Sequence, residues 1–286
     1  MSQSDNIYRV ESNDQHMDMA AQLARKTFRY FYREVAWEQR RIVPGLEICA
    51  IKVEFSDPEE MRTHQEGELE KEFMWVMEVD FDGKQIYGTL QNDPHSLKSI
   101  KAGDRVKIPG KQLVDWLYVQ LGETYGGFTI DQMRSRMSKS ERKAHDNAWG
   151  LDFGEPGFVK IVPDSYLGEA SPKKKGLFSF LGGEKPKPQD YNQVSQFEHP
   201  MSVNMRDSLE EAIRKNPSFL TATNDFGFTM LHQLALAGSY DGVDVCLKMG
   251  FNPKQVAPNG MTPYRLAKSL GWQKVMDRLT QAGAGE

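Results

Sequence analysis

The chain has almost no cysteine. Its 286 residues include only Cys49 and Cys246, so neither a disulfide framework nor a cysteine-based metal site is expected, which fits a reducing compartment. Long apolar runs are missing as well, none approaching the roughly 18 residues that a membrane-spanning helix needs. The opening residues, Met1-Ser2-Gln3-Ser4-Asp5, are polar and lack the basic-then-apolar pattern of a secretory signal. No membrane span and a cytoplasmic location are the expectations. The common catalytic signatures are also absent: there is no Gly-x4-Gly-Lys-Ser/Thr phosphate loop, no Gly-x-Ser-x-Gly elbow, no His-Glu-x-x-His pair and no Gly-x-Gly-x-x-Gly after a strand. Neither a metal nor a nucleotide cofactor is expected. Charge is nearly balanced, 36 basic against 40 acidic residues for a net of −4, which argues against a nucleic-acid binder.

What is present is a repeat. Gly227-Phe228-Thr229-Met230-Leu231-His232 and Gly260-Met261-Thr262-Pro263-Tyr264-Arg265 share one frame, with the two threonines 33 residues apart. Gly227 and Gly260 suit a turn at positive φ, each threonine hydroxyl can cap the helix that follows, and Pro263 fits the first helical position. Leu231, Leu234 and Ala235, then Val243 and Leu247, form short apolar faces that a single unit cannot bury. The frame resembles the ankyrin repeat. Ser208 to Ile213 and Asn216 to Leu220 read as the helices of a degenerate opening repeat, and Gly271 to Leu279 as the end of the last, giving about three units. The resemblance implies a protein partner, met through hairpin tips and inner helices: Asn224, Asp225, Phe226 and Phe228 in one repeat, Pro258, Asn259 and Met261 in the next. It also implies that His232 bridges neighbouring hairpins.

Residues 168 to 200 differ in texture from both flanks. Lys173-Lys174-Lys175-Gly176 and Gly182 to Pro188 combine Lys, Gly and Pro as solvated linkers do. The chain thus divides into residues 1–167, a flexible linker over 168–200, and an all-α ankyrin array over 201–286. In the first part, Ala20, Leu23, Ala24, Phe28, Phe31 and Val35 mark an amphipathic helix within residues 14 to 41. Strand texture follows at Leu46 to Val53. Phe73, Trp75, Met77, Val79 and Phe81 are assigned to one strand face, Asp82-Gly83 to a hairpin turn, and Leu113 to Leu121 to a further strand. Ser138-Lys139-Ser140-Glu141 is a capping box for a helix ending at Gly150. The expected class is α+β, built on an antiparallel sheet with flanking helices.

The ordered strings Glu72 to Val76, Gly88 to Pro94, Gly103 to Val106, Asp115 to Tyr118, Gly126 to Thr129 and Ala148 to Gly154 resemble the bacterial domain-of-unknown-function family 2314, across about residues 20 to 163. That resemblance implies no activity. Two function classes remain. In the first, a non-enzymatic cytosolic protein binds a partner, specifically as an immunity protein against a secreted toxin with a basic surface. The segment Asp57 to Glu72 supports it, with Glu66, Glu68 and Glu70 as an electrostatic landing site. In the second, the N-terminal domain is an enzyme or small-molecule sensor that gathers Asp104, Asp115 and His145, or forms an aromatic pocket from Trp75, Trp116 and Trp149. Turn chemistry and core packing account for most of those residues without any site.

Overall fold

The computed structural model describes residues 14–62, 71–167, 194 and 197–285. The linker expected over 168–200 lies almost wholly outside the described residues. The first helix, α1, spans Gln15–Glu38. Asp14 starts it by accepting from the backbone N–H groups of His16 and Met17, two donors that a helix start otherwise leaves unpaired. Ala24, Phe28, Phe31 and Val35 are buried at the expected spacing, and they cover one face of a six-stranded sheet. Its strands are β1 (Ile48–Phe55), β2 (Glu72–Phe81), β3 (Gln85–Leu90), β4 (Arg105–Pro109), β5 (Leu113–Gln120) and β6 (Glu123–Gly126). All neighbours are antiparallel, in the order β4-β3-β2-β1-β5-β6. The class is α+β.

Strand β2 corrects the single apolar face read from its alternation. Its pairing with β3 shifts between Met77 and Asp80, and Glu78 adopts φ 51°. A bulge puts the strand one residue out of step, so the inward parity inverts. Met74 and Val76 face the α1 core before the bulge, and Val79 and Phe81 after it. Phe73 and Trp75 are thereby left on the outer face, where Trp75 joins Leu117, Val119, Ile130, Leu151 and Phe153 in a second cluster.

Two helices follow the sheet, α2 (Phe128–Ser135) and α3 (Lys139–Trp149). The residue before α2 is Gly127, which has no side chain to cap it, and Asp115 on β5 takes over. Its Oδ1 accepts from the Phe128 N–H at 3.0 Å, and its Oδ2 accepts from the Thr129 N–H at 2.7 Å and hydroxyl at 2.6 Å. The capping box of Ser138 and Glu141 forms at α3 as expected, and Gly150 ends that helix at φ 67°.

The C-terminal region contains α4 (Pro200–Asn204), α5 (Arg206–Lys215), α6 (Met230–Leu236), α7 (Tyr240–Lys248), α8 (Pro263–Ser269) and α9 (Gln273–Gln281). The second helix of the opening repeat is reduced to a 3-10 turn over Pro217–Leu220. Gly227 and Gly260 adopt φ 71° and 79°, as the turns require. Thr262 caps α8 by accepting from the Arg265 N–H at 3.2 Å. Thr229 instead donates its hydroxyl to His232 Nδ1 at 2.7 Å, and His232 Nε2 donates to the Gln255 carbonyl of the next hairpin at 3.0 Å. Successive repeats lock through Trp272, whose ring occupies the space beside Gly238 that a Cβ would enter at 2.4 Å. No helix among the described residues is long and apolar enough to cross a membrane.

Candidate functional site

The charged segment before β2 does structural work at both ends. Glu72 accepts from the backbone N–H groups of His95 at 2.7 Å, Ser96 at 2.5 Å and Leu97 at 3.1 Å. Asp57 accepts from the N–H groups of Lys98 and Ser99 and from the Ser99 hydroxyl at 2.6 Å. Burial pushes the Asp57 carboxyl up, but these bonds outweigh it and hold the group below its ordinary value. Two of the acids therefore pin the loop over residues 95 to 99 rather than face solvent. Glu66, Glu68 and Glu70 lie outside the described residues.

The hairpin tips of the repeats are shared between solvent and the chain's own N-terminal region. Asn224, Asp225 and Pro258 are exposed, and Asn224 Oδ1 accepts from the N–H groups of Phe226 and Phe228. The Phe226 ring lies against Tyr87 of β3, centroids 5.8 Å apart. Asn259 donates through Nδ2 to the Asp82 carbonyl at 2.9 Å, and its own carbonyl accepts from Lys84 Nζ at 2.6 Å. Met261 and Leu266 fill the space beside Gly83, where a Cβ would come within 2.6 and 2.5 Å of them. Phe228 is only 1% exposed and stacks on His232 within the array. The tips thus seat on the β2–β3 hairpin, and Phe228 belongs to the core.

Helix α1 extends the same contact. Tyr30 meets Trp272 edge to face, and the Arg29 and Arg33 guanidinium groups lie over the Trp272 ring at 5.6 and 5.8 Å. Arg29 also donates to the Gly271 carbonyl at 3.2 Å, and Arg40 to Gln233 Oε1 at 3.4 Å. At the other end of the contact, His199 Nδ1 accepts from the Met201 N–H at 3.1 Å, which leaves Nε2 to donate to Glu34 Oε2 at 3.0 Å. The imidazole is stacked on Trp37 at 5.4 Å and edged by Tyr166 at 4.9 Å. Burial pulls the His199 pKa down, and Glu34 opposes that shift.

The polar residues considered for chemistry share no hydrogen-bond partner. Asp104 accepts from the Lys101 N–H in an exposed turn. Asp115 also accepts from the Trp116 N–H at 2.8 Å, and burial raises its pKa against four such bonds. His145 is buried, although Glu141, Lys143 and Asn147 of the same helix are exposed. Its Nδ1 donates to Asp146 Oδ1 at 2.9 Å, and Arg134 grips the same carboxylate at 2.9 and 2.7 Å. Trp75 and Trp149 do meet, centroids 5.6 Å apart at 80°. Trp116 lies on the opposite face of the sheet, donating to the Ala24 carbonyl of α1. Burial raises the thiol pKa of Cys49, and that of Cys246 to about 12, so both remain protonated.

Residues 14–153 match the family described as "Uncharacterized protein conserved in bacteria (DUF2314)". Over 273 residues the chain is 37% identical to the "Putative ankyrin repeat protein" of Neisseria meningitidis serogroup B, an alignment covering 96% of each chain. A 70-residue stretch is 30% identical to the uncharacterized protein YegJ of Escherichia coli, covering 24% of this chain and 46% of that one.

Proposed function

Since the chain belongs to the family of the meningococcal ankyrin repeat protein, we propose that it is a protein-binding protein without catalysis of its own. The observation that carries this reading is the pair of hairpin-helix-helix frames, stacked through His232 and Gln255 and through Gly238 and Trp272. Such frames present loops on a rigid scaffold, the usual arrangement for recognising another protein. Asn224, Asp225 and Pro258 are the tip residues left exposed, and Phe226 sits at the edge of the contact with Tyr87.

The finer reading is an immunity protein of the cytoplasm, whose partner is a secreted toxin with a basic surface. Its support is the acidic run containing Glu66, Glu68 and Glu70, which would accelerate encounter with a cation-rich partner. Proteins co-purifying from the native host, followed by association and dissociation rates for each, test both levels. A partner whose association slows when the three glutamates become glutamine supports the electrostatic reading. A bound partner indifferent to that change and to Phe226→Ala overturns the assignment of these surfaces.

A further inference from the structure

The most exposed large apolar side chains among the described residues all stand at one end of the sheet. Ile42 is 99% exposed and Val43 76%, in the loop between α1 and β1, and Leu121 is 90% exposed at the tip of the β5–β6 hairpin. The two loops are neighbours: Glu47 accepts from the Gly122 N–H at 2.8 Å, and its own N–H donates to the Val119 carbonyl at 2.9 Å. Leu121 and Gly122 form a two-residue turn, with φ 52° and 73°. A turn with both residues at positive φ favours Asn-Gly, and leucine is strained there. The hairpin thus holds an apolar side chain in water at a position that its own backbone disfavours.

The same end of the sheet is where the chain leaves and returns. Residues 168–193 lie outside the described residues. Just before them, Tyr166 is hydrogen-bonded by Gln120, the last residue of β5 and the neighbour of Leu121, and donates to Glu34 at 3.3 Å. Just after them, Val194 is buried in the core, the His199 ring meets Tyr166 at 4.9 Å, and the Met201 sulfur accepts from Arg41, the neighbour of Ile42, at 3.3 Å. The departing and returning ends are therefore held side by side, flanked by Leu121 and Ile42. Between them the sequence carries Leu177-Phe178-Ser179-Phe180-Leu181, in a stretch otherwise rich in Lys, Gly and Pro. Leu177 lies ten residues beyond Leu167, and at about 3.3 Å per residue that span reaches roughly 33 Å, far more than neighbouring loops require.

We propose that Ile42, Val43 and Leu121 form a docking surface for the chain's own residues 177–181, whose two phenylalanine rings cover the three side chains. An occupant tethered at both ends beside the surface meets it at a high effective concentration, which a second copy or a separate partner has to outcompete. The charges agree, since Lys173, Lys174 and Lys175 precede the apolar residues and the exposed Glu47 bridges the two loops. The contact is intramolecular and none of its residues belongs to the repeats, so it goes beyond the protein-binding reading and stands or falls separately from it.

Limited digestion of the full chain with chymotrypsin, which cuts after large aromatic side chains, tests this. Docking should keep cleavage after Phe178 and Phe180 slow. The double variant Ile42→Ser/Leu121→Asn, whose asparagine suits the positive φ, should still melt cooperatively but be cut there at least about tenfold faster, since cleavage follows the exposed population. Should that variant fail to fold, the converse one serves. With carbon-13 in the methyl groups, the Ile42 and Leu121 signals of the parent should be displaced by the phenylalanine rings, and Phe178→Ser/Phe180→Ser should return them to the values of solvated side chains without moving those of the core. Equal cleavage of the parent and the folded Ile42→Ser/Leu121→Asn variant, or methyl signals indifferent to loss of the two rings, overturns the proposal. So does protection that grows with protein concentration, which would make the occupant a second copy. Methyl signals that move only when phosphatidylserine vesicles are added would overturn it too, in favour of a membrane surface.

Discussion

Tyr30 and Trp272 meet edge to face, with ring centroids 6.0 Å apart at 79°, although one lies in the first helix and the other opens the last. Arg29 and Arg33 bracket the pair. This contact ties the repeat array to the sheet domain and sets the first expectation. Trp272→Ala should destabilise the whole chain by about 3 kcal/mol or more, since it removes a buried ring and the bond from its Nε1 to the Leu236 carbonyl. Cleavage between Lys173 and Pro188 should leave two fragments that still co-elute in gel filtration. After denaturing separation, the fragment containing the sheet should melt cooperatively by itself, whereas the repeats should be marginal. Failure of the sheet fragment to fold would remove the domain division.

Gly83 gives a sharper probe of the same contact. Its φ is 87°, and Met261 and Leu266 occupy the place of a side chain. Gly83→Ala should therefore cost about 1–3 kcal/mol in chemical denaturation, by strain and by forcing the Asn259 hairpin away from Asp82. A neutral substitution would mean that the hairpin does not seat there in solution.

Acid should loosen the contact at His199. Burial holds this histidine below its ordinary value of 6.5 in the folded chain, so the unfolded chain binds more protons in that range. Stability is then fully present above about pH 6.5 and declines as the pH falls below it. The vacant nitrogen that a proton would take is Nδ1, which caps α4 by accepting from Met201, so protonation also breaks that cap. Tyr166 and Glu34 face the other side of the ring, with Arg33 and Arg41 near. Thermal melts of the parent and His199→Gln between about pH 7 and about pH 5 read this directly. The parent should lose stability more steeply on acidification, and His232, also depressed by burial, cancels in the comparison. Parallel curves would exclude His199 as the source.

The two hairpin phenylalanines should behave differently. Phe228→Ala empties a core position and should cost about 3–5 kcal/mol in stability. Phe226→Ala should cost less, and its effect should appear in dissociation rates with a native partner. Circular dichroism melts for each variant separate the two roles; equal destabilisation would mean that Phe226 is as much core as Phe228.

The repeat frame was legible because its determinants are local: glycine at a positive-φ turn, and threonine and proline at a helix start. The capping box at Ser138 and the start of α1 were legible for the same reason. The inversion in β2 was not, because no residue type at Glu78 announces a bulge and the alternation of Phe73 through Phe81 looks unbroken. The role of Asp115 was not legible either, because it caps α2 from a strand and depends on a contact between residues distant in sequence. The seating of the repeats on α1 was invisible for a related reason. Arg29, Arg33 and Arg40 look like the solvated side of an amphipathic helix, and only the fold shows that their planar cations lie over rings or reach carbonyls of the array.

That seating also has a consequence in time. During synthesis Tyr30 of α1 emerges long before Trp272, which covers it. At roughly 5–20 residues per second, the aromatic and arginine face of α1 waits on the order of tens of seconds for its cover. Throughout that interval the nascent chain displays a ready-made docking face above a sheet that can already fold, so chaperone demand should be set by the length of this delay.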